Sequence, residues 1–310
     1  MRVFLAGATG AIGRPLVAQL LAAGHEVVGT TRDERRAAEL HARGAEAVVL
    51  DAFDRDAVRA AVVAARPDVV VHQLTALPQD PNPRAMRESL DTTSRLRRET
   101  VPAFAEAARE AGARRIVVQS ISFVTKPNGR AVHDESAPLF LDAPPEFRDA
   151  VESVRDMEAA TLGTDGLEGI VLRYGFYYGP GTWYDRAGAI GALLRKRRYP
   201  VIGKGEGRAS FVHIDDAAGA TVLALDRGEP GVYNVCDDEP ATAAEWVPEA
   251  ARVMGAKRPR RLPPWLVRRL AGPVVVYYNT ELPGNANGRA REALGWRPRP
   301  WREGFREVFG

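Results

Sequence analysis

Val3-Phe4-Leu5-Ala6-Gly7-Ala8-Thr9-Gly10-Ala11-Ile12-Gly13 opens this chain with a short apolar run and a glycine turn, and Ile12 to Ala23 continues with helical apolar spacing closed by Gly24. Strand, glycine turn and helix in that order form the context in which such a turn holds a dinucleotide. Gly7 permits the tight turn, Gly10 lets the backbone approach a pyrophosphate, and Gly13 allows the helix to pack closely on the strand. The helix start, with Thr9, Ala11 and Ile12, presents unpaired N–H groups to the phosphates.

The next strand, Glu26-Val27-Val28-Gly29-Thr30, runs into Thr31-Arg32, where an acidic residue would hold both ribose hydroxyls of NAD. An acid repels a 2′-phosphate and a guanidinium grips it in a fork, so Arg32, backed by Arg35 or Arg36, points to NADP(H). In so arginine-rich a chain Arg32 also reads as a solvated surface residue. Asp51, after Ala47-Val48-Val49-Leu50, is placed to accept from an adenine amino group or to serve as a plain helix-entry aspartate.

The chain has 310 residues, 45% hydrophobic and 27% charged, enough for one large α/β domain with a smaller appendage. No stretch approaches the roughly 20 apolar residues of a membrane span, and no basic leader precedes a long apolar core. Cys236 is the only cysteine, which excludes an internal disulfide and a cysteine zinc cluster. A cytoplasmic setting is expected. The net charge of +3 is spread over mixed arginines and acids, and the dense run Arg195-Lys196-Arg197-Arg198 reads as a solvated helix end rather than a nucleic-acid surface. The five histidines show no ligand spacing, so no metal is expected.

Strand-like runs at Val69-Val70-Val71, Ile116-Val117-Val118-Gln119 and Ile170-Val171-Leu172 alternate with helical stretches over residues 84–111 and 148–162. This alternation predicts a Rossmann-type, doubly wound parallel sheet over residues 1–178. A smaller substrate-binding region over 179–310 is expected to share the sheet edge. Residues 126–146, rich in Pro, Asp and Gly, read as a binding lid.

Further along stand Leu172-Arg173-Tyr174, Tyr178-Gly179-Pro180-Gly181, Arg208, Phe211-Val212-His213-Ile214-Asp215-Asp216, Tyr233-Asn234-Val235 and Leu294-Gly295-Trp296-Arg297-Pro298. With the glycine motif, these make the chain resemble, nearly end to end, the extended short-chain dehydrogenase/reductases of the NAD-dependent epimerase/dehydratase family. The resemblance implies that Leu74, Thr75, Ala76, Ser120, Tyr174, Gly175 and Phe176 also close around the cofactor. It further implies a homodimer built through the helical stretches at 84–111 and 148–162.

Family members use a Ser or Thr after the fifth strand, a Tyr acid, and a Lys four residues beyond it. Ser120 or Ser122 supplies the first, Ser122 being the better match. Aligning Ser153 and Glu158 puts Ala150 at the Tyr position and Val154 at the Lys; a shift of one gives Val151 and Arg155. No tyrosine precedes Tyr174 at all. In this the chain is similar to the tyrosine-less ketoreductases of angucyclinone antibiotic pathways.

Losing a general acid costs about 10² to 10⁴ in rate, whereas orienting hydride donor and carbonyl supplies on the order of 7–11 kcal/mol. An NADPH-dependent ketoreductase therefore remains feasible, with the acid drawn from Ser122, Tyr178, Tyr174 or His213, or from a phenol beside an aromatic ketone. The expected substrate is a large planar ketone of an aromatic polyketide, with Trp183, Tyr184, Phe140 and Phe147 as apolar walls. A non-catalytic NADP sensor and a nucleotide-sugar epimerase or reductase with a displaced acid, in which Arg208 meets a phosphate, are the alternatives.

Overall fold

Strands form where β-branched and aliphatic residues run together, and helices where apolar residues recur at three and four. The computed structural model describes residues 1–78 and 83–310. The first half comprises β1 (Arg2–Ala6), α1 (Gly13–Ala22), β2 (Glu26–Thr31), α2 (Glu34–Ala42), β3 (Glu46–Val49), α3 (Arg55–Ala65) and β4 (Val69–His72). Next come α4 (Pro83–Arg95), a π turn (Leu96–Thr100), α5 (Val101–Glu110), β5 (Arg115–Ile121), β6 (Val132–His133), α6 (Pro145–Leu162) and β7 (Glu168–Tyr174). Beyond these lie β8 (Phe176–Tyr178), α7 (Ala189–Arg195), β9 (Val201–Ile202), β10 (Arg208–Ala209), β11 (Phe211–His213), α8 (Ile214–Leu223) and β12 (Gly231–Val235). The chain closes with β13 (Ala241–Thr242), α9 (Ala243–Val253), β14 (Arg261–Leu262), α10 (Pro264–Ala271), α11 (Pro273–Thr280), β15 (Gly284–Asn285), α12 (Gly288–Leu294) and α13 (Trp301–Phe309).

Seven strands make one sheet in the order β12-β7-β5-β4-β1-β2-β3, and every neighbouring pair is parallel. The doubly wound α/β architecture is therefore the one the alternation predicts. Strand order reverses between β1 and β4, and the crevice beyond their carboxyl ends is where this architecture binds its ligand. Period-two alternation splits the core: Val3 and Leu5 join α1 and α8 on one face, while Phe4 and Ala6 join α3 and α5 on the other. Val3, Phe4 and Leu5, fully buried, each contribute about 1.5–3 kcal/mol.

Residues beyond 178 enter the main sheet, because β12 pairs with β7 from Gly231↔Ile170 to Val235↔Tyr174. The 126–146 segment is tied down by a Thr125–Leu139 bridge and by β6 pairing with β15. α6 starts at Pro145, earlier than the pattern near 148 indicated, since proline fits a first helical turn where its N–H is not needed. The helical stretch 84–111 is interrupted by the π turn. Pro102 cannot donate to the carbonyl of Arg98, and the Thr100 hydroxyl donates to Leu96 O at 2.6 Å, so the regular ladder gives way at this point.

Candidate active site

The glycine turn has the steric character of a phosphate cradle. Gly7 sits at φ +91°, and a Cβ on Gly13 would lie 2.1 Å from Gly7 O, so α1 packs on the turn only through glycine. A Cβ on Gly10 would meet only Gly7 O at 3.4 Å, leaving its outer side open, and no side chain caps α1. Open space above an uncapped helix start fits a pyrophosphate, with Thr9, Ala11 and Ile12 beside it. Gly29 makes room beneath the turn, where a Cβ would approach Ala8 Cβ at 2.7 Å.

Arg32 is exposed just past β2, as are Arg35 and Arg36. The carboxylate that follows, Asp33, caps α2 by accepting from the backbone N–H groups of Arg35 at 2.8 Å and Arg36 at 3.4 Å. An Asp just before a charged helical start is the sequence signal of such a cap. Asp51 is exposed, and its Oδ1 accepts from Phe53 N at 3.1 Å, so it already serves a turn. Leu74-Thr75-Ala76 leaves β4 and is held by α4: Ala76 N donates to Thr93 Oγ1 at 3.2 Å and Ser89 Oγ donates to Ala76 O.

The structure separates the sequence-derived acids. Ser122 is fully buried at the end of β5, its N–H bound to Tyr174 O at 2.9 Å and its hydroxyl without a partner. Tyr178 lies elsewhere, in the C-terminal core. Its ring meets His213 and Phe305 edge-on at 5.1 and 5.2 Å, and its partnerless hydroxyl faces Gly304, where a Cβ would lie 2.0 Å away. Burial drives its pKa far up. Tyr174 accepts from Gln73 Nε2 at 3.2 Å and donates to Thr221 Oγ1 at 2.6 Å, whose own proton goes to Ala217 O. Burial pushes it up to about 12. His213 Nδ1 accepts from Asp215 N at 3.2 Å as the cap of α8. Tyr174 and His213 are thus engaged in fixed hydrogen bonds, whereas the Ser122 and Tyr178 hydroxyls both stand without a partner among the described residues.

Ser120 Oγ donates to Glu158 Oε1 at 2.9 Å, and Arg173 holds both Glu158 oxygens at 2.8 and 2.6 Å, a buried network between α6, β5 and β7. Gly175 has no room for a side chain, since a Cβ would lie 2.2 Å from Ser210 O. Ala150, Val151 and Val154 pack into an apolar cluster with Phe147, Val124, Tyr277 and Leu282, so neither alignment frame puts a proton donor at the family's tyrosine position. Phe123 and Phe176 stack at 4.3 Å and 12°, with Tyr278 edge-on to both at 6.0 Å. All three are half-buried and form one aromatic cluster. Phe140 and Phe147 reach it through Tyr277 and Tyr278. Tyr184 belongs to the C-terminal core with Phe211 and Trp246, and Trp183 donates to Pro78 O at 2.8 Å, bridging to the segment after β4.

Residues 3–236 match the model of the NAD dependent epimerase/dehydratase family. The chain belongs to this family. As a member of it, the chain is 48% identical over 310 residues to a 3-diazoavenalumate denitrifying reductase of a Streptomyces species, covering 98% of this chain and 99% of that protein. It is 26% identical to the 4-hydroxy-2-methyl-3-oxo-4-farnesyl-3,4-dihydroquinoline-1-oxide ketoreductase of Stigmatella aurantiaca, covering 83% of this chain and 74% of that one. Among solved structures, the Thermus thermophilus UDP-glucose 4-epimerase in complex with NAD superposes with a TM-score of 0.74 and 26% identity, covering 100% of this chain and 98% of that one. This family member is an oxidoreductase with a nicotinamide dinucleotide cradle, and its substrate is a small molecule.

Proposed function

We propose that this reductase uses NADPH to remove the diazo nitrogen from an aromatic acid. The observation that carries the reading is the pairing of a hydride-cofactor cradle with an α6 that offers Ala150 or Val151 where the family keeps its acid. Reducing a ketone makes an alkoxide, which needs a proton; replacing dinitrogen needs none. The cofactor, when bound, supplies a hydride: its electron pair forms the new carbon–hydrogen bond of the arene while the carbon–nitrogen pair leaves with N₂, so charge and atoms balance without an acid. The relative that is 48% identical over nearly both whole chains carries a diazo substrate and a denitrifying reduction in its name, which supports this reading.

The chain's own residues have three tasks in this account. Gly7, Thr9, Gly10, Ala11, Ile12 and Gly13 cradle the pyrophosphate, Arg32 takes the 2′-phosphate, and Leu74–Ala76 with Gly175 close the site. Phe123, Phe176 and Tyr278 hold a planar ring and exclude water. Ser122 offers a weak hydroxyl donor and no acid.

Ketone reduction is the second reading, favoured by the unengaged Ser122 hydroxyl. Incubation with NADPH and diazotised 3-aminocinnamic acid, against 2′-hydroxyacetophenone, separates the two. The first reading predicts NADPH oxidation and N₂ release in equal amounts above the enzyme-free rate. Fast ketone reduction with no N₂ release would replace it with the second.

A further inference from the structure

Arg97 and Arg98 are neighbours in the π turn, and the fold uses them oppositely. Arg98 pairs with Asp149 at 2.7 Å and Asp156 at 3.0 Å on the surface of α6. Arg97 is buried, and among the described residues no carboxylate stands within 4 Å of it. Its hydrogen bonds run from Nη1 to Ala150 O at 3.4 Å and Ser153 Oγ at 3.2 Å. That places a guanidinium against the very turn of α6 that carries Ala150 in the alignment position of the family tyrosine.

An unpaired buried cation is costly to a fold, because desolvation is not repaid by a neighbouring charge. Burial here pulls Arg97 down to about 10, which leaves it charged at neutral pH. Glu158 offsets it only in part, because that carboxylate is shared: Nε and Nη2 of Arg173 already hold its two oxygens. Two cations thus face one buried anion, and Ala150, which anchors Arg97, packs in the same apolar cluster as Phe123, Phe176 and Tyr278.

We infer that Arg97 is the receptor for an anionic oxygen of the aromatic substrate, a specificity determinant that completes its charge only when substrate binds. The inference rests on the aromatic-acid reading above and adds orientation to it. A cation attracts a carboxylate or phenolate and repels a diazonium, so the anionic end is drawn toward α6 and the diazo end is turned away.

Calorimetry on the NADP⁺-loaded protein tests this without turnover. The probes are 4-hydroxycinnamate, its methyl ester and its methyl ether. The unmodified protein should bind 4-hydroxycinnamate about tenfold or more tightly than one of the two methylated forms, which cannot present an anionic oxygen at the capped end. Weakening by the ester identifies a carboxylate receptor, and weakening by the ether a phenolate receptor. Arg97→Gln should erase that preference while leaving NADP⁺ affinity within about threefold, and Arg97→Lys should restore part of it. Absence of binding or of any preference in the unmodified protein overturns the inference, as does a preference that survives in Arg97→Gln. Failure of N₂ release with the charge preference intact counts against the diazo reading alone.

Discussion

A Cβ on Gly13 would sit 2.1 Å from the carbonyl oxygen of Gly7, and that closeness is what locks α1 onto the turn following β1. Gly13→Ala must push helix and turn apart, and overpacking of this kind costs roughly 1–3 kcal/mol. The displaced N–H groups should also lower cofactor affinity by about tenfold or more. Thermal melts and cofactor calorimetry check both; a variant unchanged in both respects would remove Gly13 from the cradle.

Arg32 is exposed while its neighbouring acid is engaged in capping α2, so nothing near the end of β2 competes for a 2′-phosphate. NADP should bind more tightly than NAD by roughly 1.5–3 kcal/mol, the worth of a charge-assisted contact, and Arg32→Ala should erase most of the difference. Equal affinities in the unmodified protein would take away the basis for naming NADP.

Ser122 and Tyr178 separate a proton-free reaction from an acid-dependent one. Tyr178→Phe removes a buried hydroxyl that has no partner, so turnover should hold and stability should stay level or rise. Ser122→Ala should keep diazo reduction within about tenfold, whereas a ketone reduction relying on that hydroxyl should fall by about 10² or more. A severe loss of N₂ release in Ser122→Ala would mean that the serine does chemistry after all.

His72 gives the fold an acid limit. Its Nε2 donates to Thr100 Oγ1 at 2.8 Å, since the threonine proton goes to Leu96 O, and desolvation by burial lowers its pKa from 6.5 to about 4. A depressed histidine stabilises the fold fully above the unfolded value near 6.5, and that share is lost as pH falls toward 4. The loss should reach about 3 kcal/mol, read from urea melts between pH 7 and 4. His72→Gln should flatten that slope; an unchanged slope would place the acid sensitivity elsewhere.

The doubly wound sheet was legible because each strand run and each helical period announces itself within a few residues, and the order of β and α elements fixes a parallel topology. The cradle was legible for the same local reason: Gly7, Gly10 and Gly13 carry their meaning in their spacing. Arg97 was not. Nothing in Leu96-Arg97-Arg98-Glu99 distinguishes a buried guanidinium from the surface one beside it, because the difference arises from the π turn and from α6, more than 50 residues away. The surroundings of Tyr178 were hidden from the sequence in the same way. Its position in a family motif drew it toward the chemistry, while the packing of α13 around its hydroxyl is set by residues near the end of the chain.

The origin of the new hydrogen tests the central claim most directly. With NADPH deuterated at the transferable C4 position and a diazotised aromatic acid, mass spectrometry of the product should show a single deuterium at the carbon that lost nitrogen, from a single face of the cofactor. The same reaction in D₂O with unlabelled NADPH should place none there. Hydrogen drawn from solvent, or deuterium appearing only on a carbinol carbon when a ketone is offered, would contradict hydride replacement of dinitrogen as the reaction of this chain.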